Sequence, residues 1–578
     1  MPAEASALQP DNPPQPGSHD ARFIALVASV ASIVATLFYF RRGDVLLYGD
    51  AVAHIGIARR VIDSVTPGFG QLGTVWLPLP HLLIIPFVAP LSWWRAGVAA
   101  SIPSMVAYVF ATLGIFRLFR EVASSDQLFP SLSPQLVRAG AWLAAIGFAA
   151  NPNLLYLQST AMTEPLFLAL FIWALVWLAR FVSDAAGLRS RGALLRCGAL
   201  LCAAELTRYD AWFAAAFFVP IAAVAWFRSW RRDRATAVSM PGFALFLVLV
   251  AAGPMFWFWW NFANTRNPLD FANGPYSARG IEQRVKNKVD ARSHPGESDL
   301  PTAASYYVHA VQTNFGEKRW GPTLFWLAVV STLGVVLRAW GWAGNRRMLI
   351  WLLLWLPLPF YTNSIAYGSV PIFTPFRWPF SYYNVRYGLQ MLPCIALFGA
   401  VLVMFVAGRA PRARLQVLIF VLAAVFGAGA YLSCFLQRPN RPKDLLPNEP
   451  LYGPIVWREA VINAATRVHY ESELAQVLVS LPAQSKILMY TGDHVGALQR
   501  AGIPLRRVIN EANYYEWRLA LVTPGASADY VVAAAGDAVT SAIAADPDQL
   551  APIATIDVAG QPKTTVYRAD HPTPAHTH

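Results

Sequence analysis

Apolar runs alternate with short polar turns along most of this chain. They fall at 22–40, 97–117, 139–157, 164–182, 193–207, 211–228, 241–260, 322–340, 348–366, 387–408 and 414–435. A helix crossing the hydrocarbon core needs about 20 such residues. The pattern predicts an α-helical polytopic membrane protein with about 11 transmembrane helices. One further apolar stretch, 76–93, contains Pro78, Pro80, Pro86 and Pro90. Each proline removes a helix hydrogen bond that lipid cannot replace, so this stretch reads as a broken, half-inserted segment.

Residues 1–21 are rich in Pro, Gln, Ser and Asn and read as a disordered cytoplasmic tail. The membrane domain then occupies 22–435, with external loops at 41–96 and 261–321. After 435 the pattern changes. A Pro-rich linker, 436–455, leads into a less apolar stretch, 456–578, with strand-like runs KILMY from Lys486, RRVIN from Arg506 and YVVAAAG from Tyr530. Helical stretches lie between them, so this part predicts a small α/β domain. Gly492 and Gly496 lack the spacing of a dinucleotide loop and read as a plain βα turn.

Charge sets the orientation. One set of turns carries Arg117, Arg120 and Arg138, then Arg180, Arg189, Arg191 and Arg196, then Arg228, Arg231, Arg232 and Arg234. Arg338, Arg346, Arg347, Arg409, Arg412 and Arg414 continue the series, and the alternate short turns carry little beyond Arg208, Arg377 and Arg386. The first set is therefore cytoplasmic. Arg41 and Arg42 are a small exception. An odd number of spans then puts the C-terminal domain and the first external loop on the extracytoplasmic side. Composition agrees, with 56% hydrophobic and 14% charged residues and a mean hydropathy of +0.39. The net charge of +13 sits mainly in these turns and does not indicate a nucleic-acid partner. The four cysteines form no CxxC pair, so neither a disulfide framework nor a zinc knuckle is indicated.

Polar residues at the outer membrane border are the candidate chemistry. A helix over 50–65 places Asp50 and His54 one turn apart on one face, with Ile55, Ala58 and Ile62 as an apolar stripe for the membrane interface. Glu164 opens an apolar helix in MTEPLFLALFIW, where a helix N-terminus also favours an acid for purely structural reasons. Arg208, Tyr209 and Asp210 interrupt two apolar runs in LTRYDAWF, which fits a site or an intramembrane ion pair equally. Arg386 and Tyr387 open another run, where a snorkelling arginine is the bland alternative. Two arginines can hold a phosphate, and a carboxylate can take a proton from an incoming hydroxyl.

At these residues the chain resembles the GT-C superfamily of polyprenyl-phosphate-sugar glycosyltransferases, near the protein O-mannosyltransferase and aminoarabinose-transferase branch. The matching motifs are GDAVAHIGIARRV, WLPLPHLL, TAMTEPLF, LTRYDAW, NPLDFANGPYSARG and YNVRYGLQMLP, in that order within 22–435. The resemblance implies a GT-C-like membrane domain and Asp50 as catalytic base or metal ligand. It implies Glu164 as the second acidic residue, where many members have Asp. The chain has Asp50-Ala51 where members commonly have Asp-Glu.

These readings lead to an inverting glycosyltransferase of the bacterial inner membrane. It would move a hexose or pentose, mannose for example, from a polyprenyl-phosphate donor to an extracytoplasmic glycan, lipid or protein. Asp50 and Glu164 are the expected catalytic pair, and His54, Arg208, Tyr209, Asp210, Arg386 and Tyr387 the expected substrate contacts. A divalent metal, if used, would sit on Asp50, His54 and Glu164. His54 could equally orient Asp50 or be structural. The rivals from other classes are a transporter or flippase of lipid-linked sugars, and a non-catalytic scaffold.

Overall fold

A computed structural model describes residues 18–123, 128–183, 187–235, 237–288, 293–341, 343–436, 452–492, 494–547 and 549–570. The expected tail therefore falls outside the described residues up to 17, as does most of the Pro-rich linker, 437–451. The first helix, α1 (Ser18–Arg41), leads through a buried turn into α2 (Gly49–Ile62), α3 (Leu79–Val88) and α4 (Leu91–Ala96). The bundle continues with α5 (Ile102–Ala123), α6 (Pro134–Ala149), α7 (Pro152–Leu157), α8 (Glu164–Ser183), α9 (Gly187–Glu205), α10 (Asp210–Arg232) and α11 (Met240–Thr265). A long connection at the same end of the bundle as α2 carries α12 (Asp270–Asn273), α13 (Ala278–Lys288) and α14 (Leu300–Thr313). Then follow α15 (Trp320–Gly341), a 3₁₀ stretch Ala343–Trp355 running into α16 (Pro357–Tyr367), α17 (Leu392–Ala407) and α18 (Ala413–Leu436).

Among the described residues nine helices are long and apolar enough to cross a membrane. The other two expected spans, 139–157 and 193–207, also lie in helices of the bundle. The first is broken, because Asn151 and Pro152 end α6 and start α7; the residue before a proline leaves helical conformation. The Asn151 side chain caps α7 through the N–H groups of Asn153 and Leu154, and both asparagines donate to the carbonyl of Asn314. The second, α9, packs between α8 and α11. α3 has 10 residues, so at about 1.5 Å per residue it is far too short to span. The external segment 76–93 therefore turns back on the side it came from.

Asp20, at the start of α1, is held by Arg120 near the end of α5 and by Arg138 in α6. Arg347 reaches Ser183, at the end of α8. The arginine-rich turns thus share one end of the bundle, and Asp50, Glu164, Asp210 and Arg386 share the other.

The C-terminal part stands on that second end. A 25-residue helix, α19 (Ile455–Val479), precedes β1 (Ile487–Met489), α20 (Val495–Ala501), β2 (Val508–Ile509), β3 (Tyr530–Ala534), β4 (Leu550–Ile556) and β5 (Thr564–Ala569). The sheet order is β2-β1-β3-β5-β4. β1, β2 and β3 are parallel and β5 and β4 antiparallel, so the three expected strands form the parallel half. The domain is sewn to the bundle by buried polar contacts. Trp457 donates to Asp44 at 2.8 Å, the Tyr48 hydroxyl donates to the carbonyl of Val456, and Arg458 pairs with Glu317. Asp63 links Arg59 of α2 at 2.6 Å to the backbone N–H groups of Leu505 and Arg506. Arg59 also donates to the carbonyls of Val88 and Ala89, closing off α3. Ile55 and Ala58 are fully buried, and Gly56 abuts Val495 of α20. The expected interfacial stripe on α2 is therefore covered by protein, and of its three residues Ile62 alone stays exposed.

This arrangement predicts accessibility from opposite sides of the membrane. In intact cells a membrane-impermeant thiol reagent should treat Phe69→Cys and Ala526→Cys alike and Trp340→Cys oppositely, all three positions being exposed. Split behaviour of the first two would mean that the 76–93 segment spans.

Candidate active site

Each acid of the second end sits where a helix begins. Asp50 lies in the first turn of α2, Glu164 opens α8 and Asp210 opens α10. The positive end of each helix dipole favours a carboxylate there. Arg208 occupies the turn between α9 and α10, and Arg386 lies in the 3₁₀ turn Val385–Met391 that leads into α17. The preceding Asn384 takes a left-handed conformation, φ 56°, which turns the chain into the site.

Arg386 is the centre. Its Nη2 lies 2.5 Å from Asp50 Oδ2, its Nε 3.3 Å from Glu164 Oε1, and its Nη1 3.5 Å from Glu459 Oε1. Its backbone N–H donates to Glu459 Oε2 at 3.2 Å. The rings of Tyr48 and Tyr387 face its guanidinium at 5.0 and 4.9 Å. Arg208 shares Glu164 Oε1 at 3.2 Å and donates to Thr163 Oγ1 at 3.1 Å and to the Tyr361 hydroxyl at 2.9 Å. That hydroxyl in turn donates to Asp210 at 2.5 Å. Tyr387 lies under both guanidinium groups, 5.2 Å from that of Arg208. Exposure separates the acids. The Asp50 side chain is 42% exposed, whereas those of Glu164 and Glu459 are 1% exposed. Asp50 is the carboxylate an incoming molecule can reach, and the other two brace the cation.

His54 turns away from this cluster. Its Nδ1 is 2.8 Å from Nε2 of His81, and its ring packs on Trp76 at 4.4 Å. Burial, with Arg208 and Arg386 nearby, pushes its pKa down to about 3. Burial and then His54 push His81 well below the usual histidine range. Both rings are therefore neutral at pH 7. Asp50, His54 and Glu164 do not fit a shared metal in this arrangement. Arg386 places its positive charge between the two carboxylates, and His54 gives Nδ1 to His81. Among the described residues the His, Cys or acidic trio with ligand atoms within 4.8 Å of one another is Glu282, His294 and Glu297, in the external loop.

The structure thus brings together Asp50, Glu164, Arg208, Asp210, Arg386 and Tyr387. Tyr209 lies beside them but is engaged elsewhere. Its hydroxyl donates to the carbonyl of Val75 and accepts from Trp257, and its ring stacks on Phe271. Tyr48, Thr163, Tyr361 and Glu459 join the cluster without having been singled out in the sequence. Nothing in the sequence marked Glu459; in the structure it and Arg458 are both buried in α19, and charges are buried only with partners.

No protein-family model matches the sequence, and no curated protein matches it. Solved structures do carry the same architecture. ArnT from Cupriavidus metallidurans bound to undecaprenyl phosphate superposes with a TM-score of 0.52 at 12% identity, over 95% of this chain and 98% of that one. Its apo form gives 0.52 at 13%, with the same coverage. The oligosaccharyltransferase of Archaeoglobus fulgidus gives 0.44 at 11%, over 89% of this chain and 70% of that one. At these identities the ArnT likeness is one of fold. This chain is an integral membrane protein with the fold of the GT-C glycosyltransferases, as its motifs implied. The ArnT structures align with nearly the whole length of this chain.

The neutral histidine gives a pH prediction. Its folded pKa lies below its unfolded value of 6.5, so its stabilising effect is complete above pH 6.5. That effect is lost as pH falls from 6.5 towards about 3. Detergent-solubilised His54→Gln should lose less stability, read as Tm, between pH 7 and 5 than the parent, by about 2 kcal/mol. Parallel Tm–pH curves would mean that His54 is not buried neutral.

Proposed function

We propose that this protein is an inverting glycosyltransferase that moves a sugar from a polyprenyl phosphate onto an extracytoplasmic acceptor. The observation that carries the reading is the single reachable carboxylate, Asp50, held at the membrane border by a buried arginine that two further acids keep in place. The ArnT structure of the same fold binds undecaprenyl phosphate, which supports a donor of that class. The arginine-rich turns at the opposite end support an extracytoplasmic site in the bacterial inner membrane.

In this reading the donor phosphate takes the Nη2 side of Arg386 and the neighbouring edge of Arg208, and so releases Asp50 from its ion pair. Asp50 then accepts the proton of the acceptor hydroxyl. The acceptor oxygen attacks the anomeric carbon from the face opposite the phosphate. The bond from that carbon to the phosphate oxygen breaks, its electron pair stays on the phosphate, and the two guanidinium groups stabilise the charge that develops. Inversion follows from the single displacement. Glu164 and Glu459 fix Arg386, and Asp210 with Tyr361 fixes Arg208. The sugar is a hexose or pentose, and the acceptor a glycan, lipid or protein.

Asp50→Asn tests the base. An amide keeps the size of the side chain and cannot take the proton, so transfer should fall by about 10²- to 10⁴-fold, while donor affinity holds or rises because the phosphate no longer displaces a carboxylate from Arg386. The donor would be the lipid-linked sugar that accumulates in cells lacking the protein. Near-parental transfer by expression-matched Asp50→Asn would remove Asp50 from the role. For the phosphate contacts, Arg208→Ala should weaken donor binding by about 1.5–3 kcal/mol. Arg386→Lys, which keeps the buried charge but not the planar fork, should weaken it less. Parental donor affinity in both variants would place the phosphate elsewhere.

A further inference from the structure

Away from the catalytic cluster, a groove of about 580 Å³ opens between α4 and the C-terminal domain, lined by Arg95, Ser472, Ala475, Gln476, Val479 and Arg500. The four residues from α19 recur at i, i+3, i+4 and i+7 and so form one stripe of that helix. From it the groove takes two polar side chains, and a small apolar floor from Ala475 and Val479. Its walls are guanidinium groups. Arg95 is exposed, donates its Nε to the carbonyl of Arg500 at 3.1 Å, and makes no ion pair among the described residues. Arg500 lies 3.3 Å from Glu471, and that carboxylate also takes Arg467 at 2.7 Å. Glu473 lies on another face of α19, where it meets His469. The groove is therefore walled by two guanidinium groups, and the one buried carboxylate beside it is shared with Arg467.

Position along the chain fixes the depth of this groove. The membrane-spanning stretch begins at Val98, three residues after Arg95. Leu91 and Trp93, on the same short helix, are exposed apolar side chains, and tryptophan belongs at the headgroup level. The groove opens where the phosphates of the outer leaflet lie.

We propose that this groove binds the headgroup of an anionic phospholipid. Arg95 and Arg500 hold its phosphate through charge-assisted hydrogen bonds, Ser472 and Gln476 contact the polar headgroup, and the acyl chains leave past Leu91 and Trp93. The site lies outside the catalytic cluster and stands whether or not the proposed reaction is right. Its role is to fix the C-terminal domain against the membrane surface, since the groove is shared between that domain and α4.

The test uses the purified, delipidated full-length protein and native mass spectrometry with dihexanoyl phosphatidylglycerol and dihexanoyl phosphatidylcholine. Phosphatidylglycerol should bind the parent more tightly, and Arg95→Gln should remove that preference by about tenfold. Gln476→Trp, which fills the groove without changing charge, should lower the same affinity and guards against a folding effect of the arginine change. Equal affinity for the two lipids in the parent overturns the proposal, as does parental phosphatidylglycerol binding in both variants. Displacement of the lipid by millimolar inorganic phosphate would assign the groove to the free anion and overturn the lipid assignment.

Discussion

A guanidinium withdrawn from water at a membrane border must be neutralised on each edge it presents, and Arg386 meets that demand with three acids from three distant parts of the chain. Asp50 comes from the segment after the first helix, Glu164 from the head of a bundle helix, and Glu459 from the C-terminal domain. Removing one member of a buried ion pair costs about 3–5 kcal/mol, because the remaining charge is left uncompensated. The placement of α2, α8 and α19 is therefore coupled through one side chain. The same coupling makes the exposed acid distinctive. Glu164 and Glu459 satisfy the cation from within, so Asp50 can exchange its ion pair for a proton without leaving the cation bare.

The second arginine repeats the device in miniature. Arg208 shares Glu164 with Arg386, and Asp210 reaches it both directly and through Tyr361. One carboxylate oxygen bridging two guanidinium groups sets the spacing between them. Tyr387 beneath both adds a flat, polarisable floor.

The bundle was legible because lipid leaves the chain few options. Backbone groups must bond within a helix, so apolar length and arginine turns carry the topology. The same logic exposed 76–93 through its prolines. The break at Asn151-Pro152 was equally present in the sequence, but the apolar run around it masked it. At the site, Asp50, Glu164, Arg208 and Arg386 stood out as charges in apolar surroundings. Their partners did not, because Glu459 and Tyr361 lie in ordinary helical stretches. The contacts that recruit them join residues 73 and 153 positions apart, and hydrophobic period carries no information about such pairing. The partner of His54 was hidden for a related reason. Helical phase put His54 near Asp50, but a second histidine 27 residues away took its ring. β4 and β5 were missed because β4 is half exposed and contains a proline, so neither alternation nor an apolar run marks it.

The attachment of Glu459 also dictates when the site comes into being during synthesis. A chain is made and inserted from its N-terminus, so α1 to α17 can enter the bilayer while residue 459 is still to be translated. Through that interval Arg386 has two carboxylates instead of three, and its own N–H has no acceptor. Arrival of α19 supplies the last acid and ties Trp457 to Asp44 and Arg458 to Glu317. The cluster is thus complete only once α19 arrives, and a chain ending before it holds Arg386 with two of its three acids.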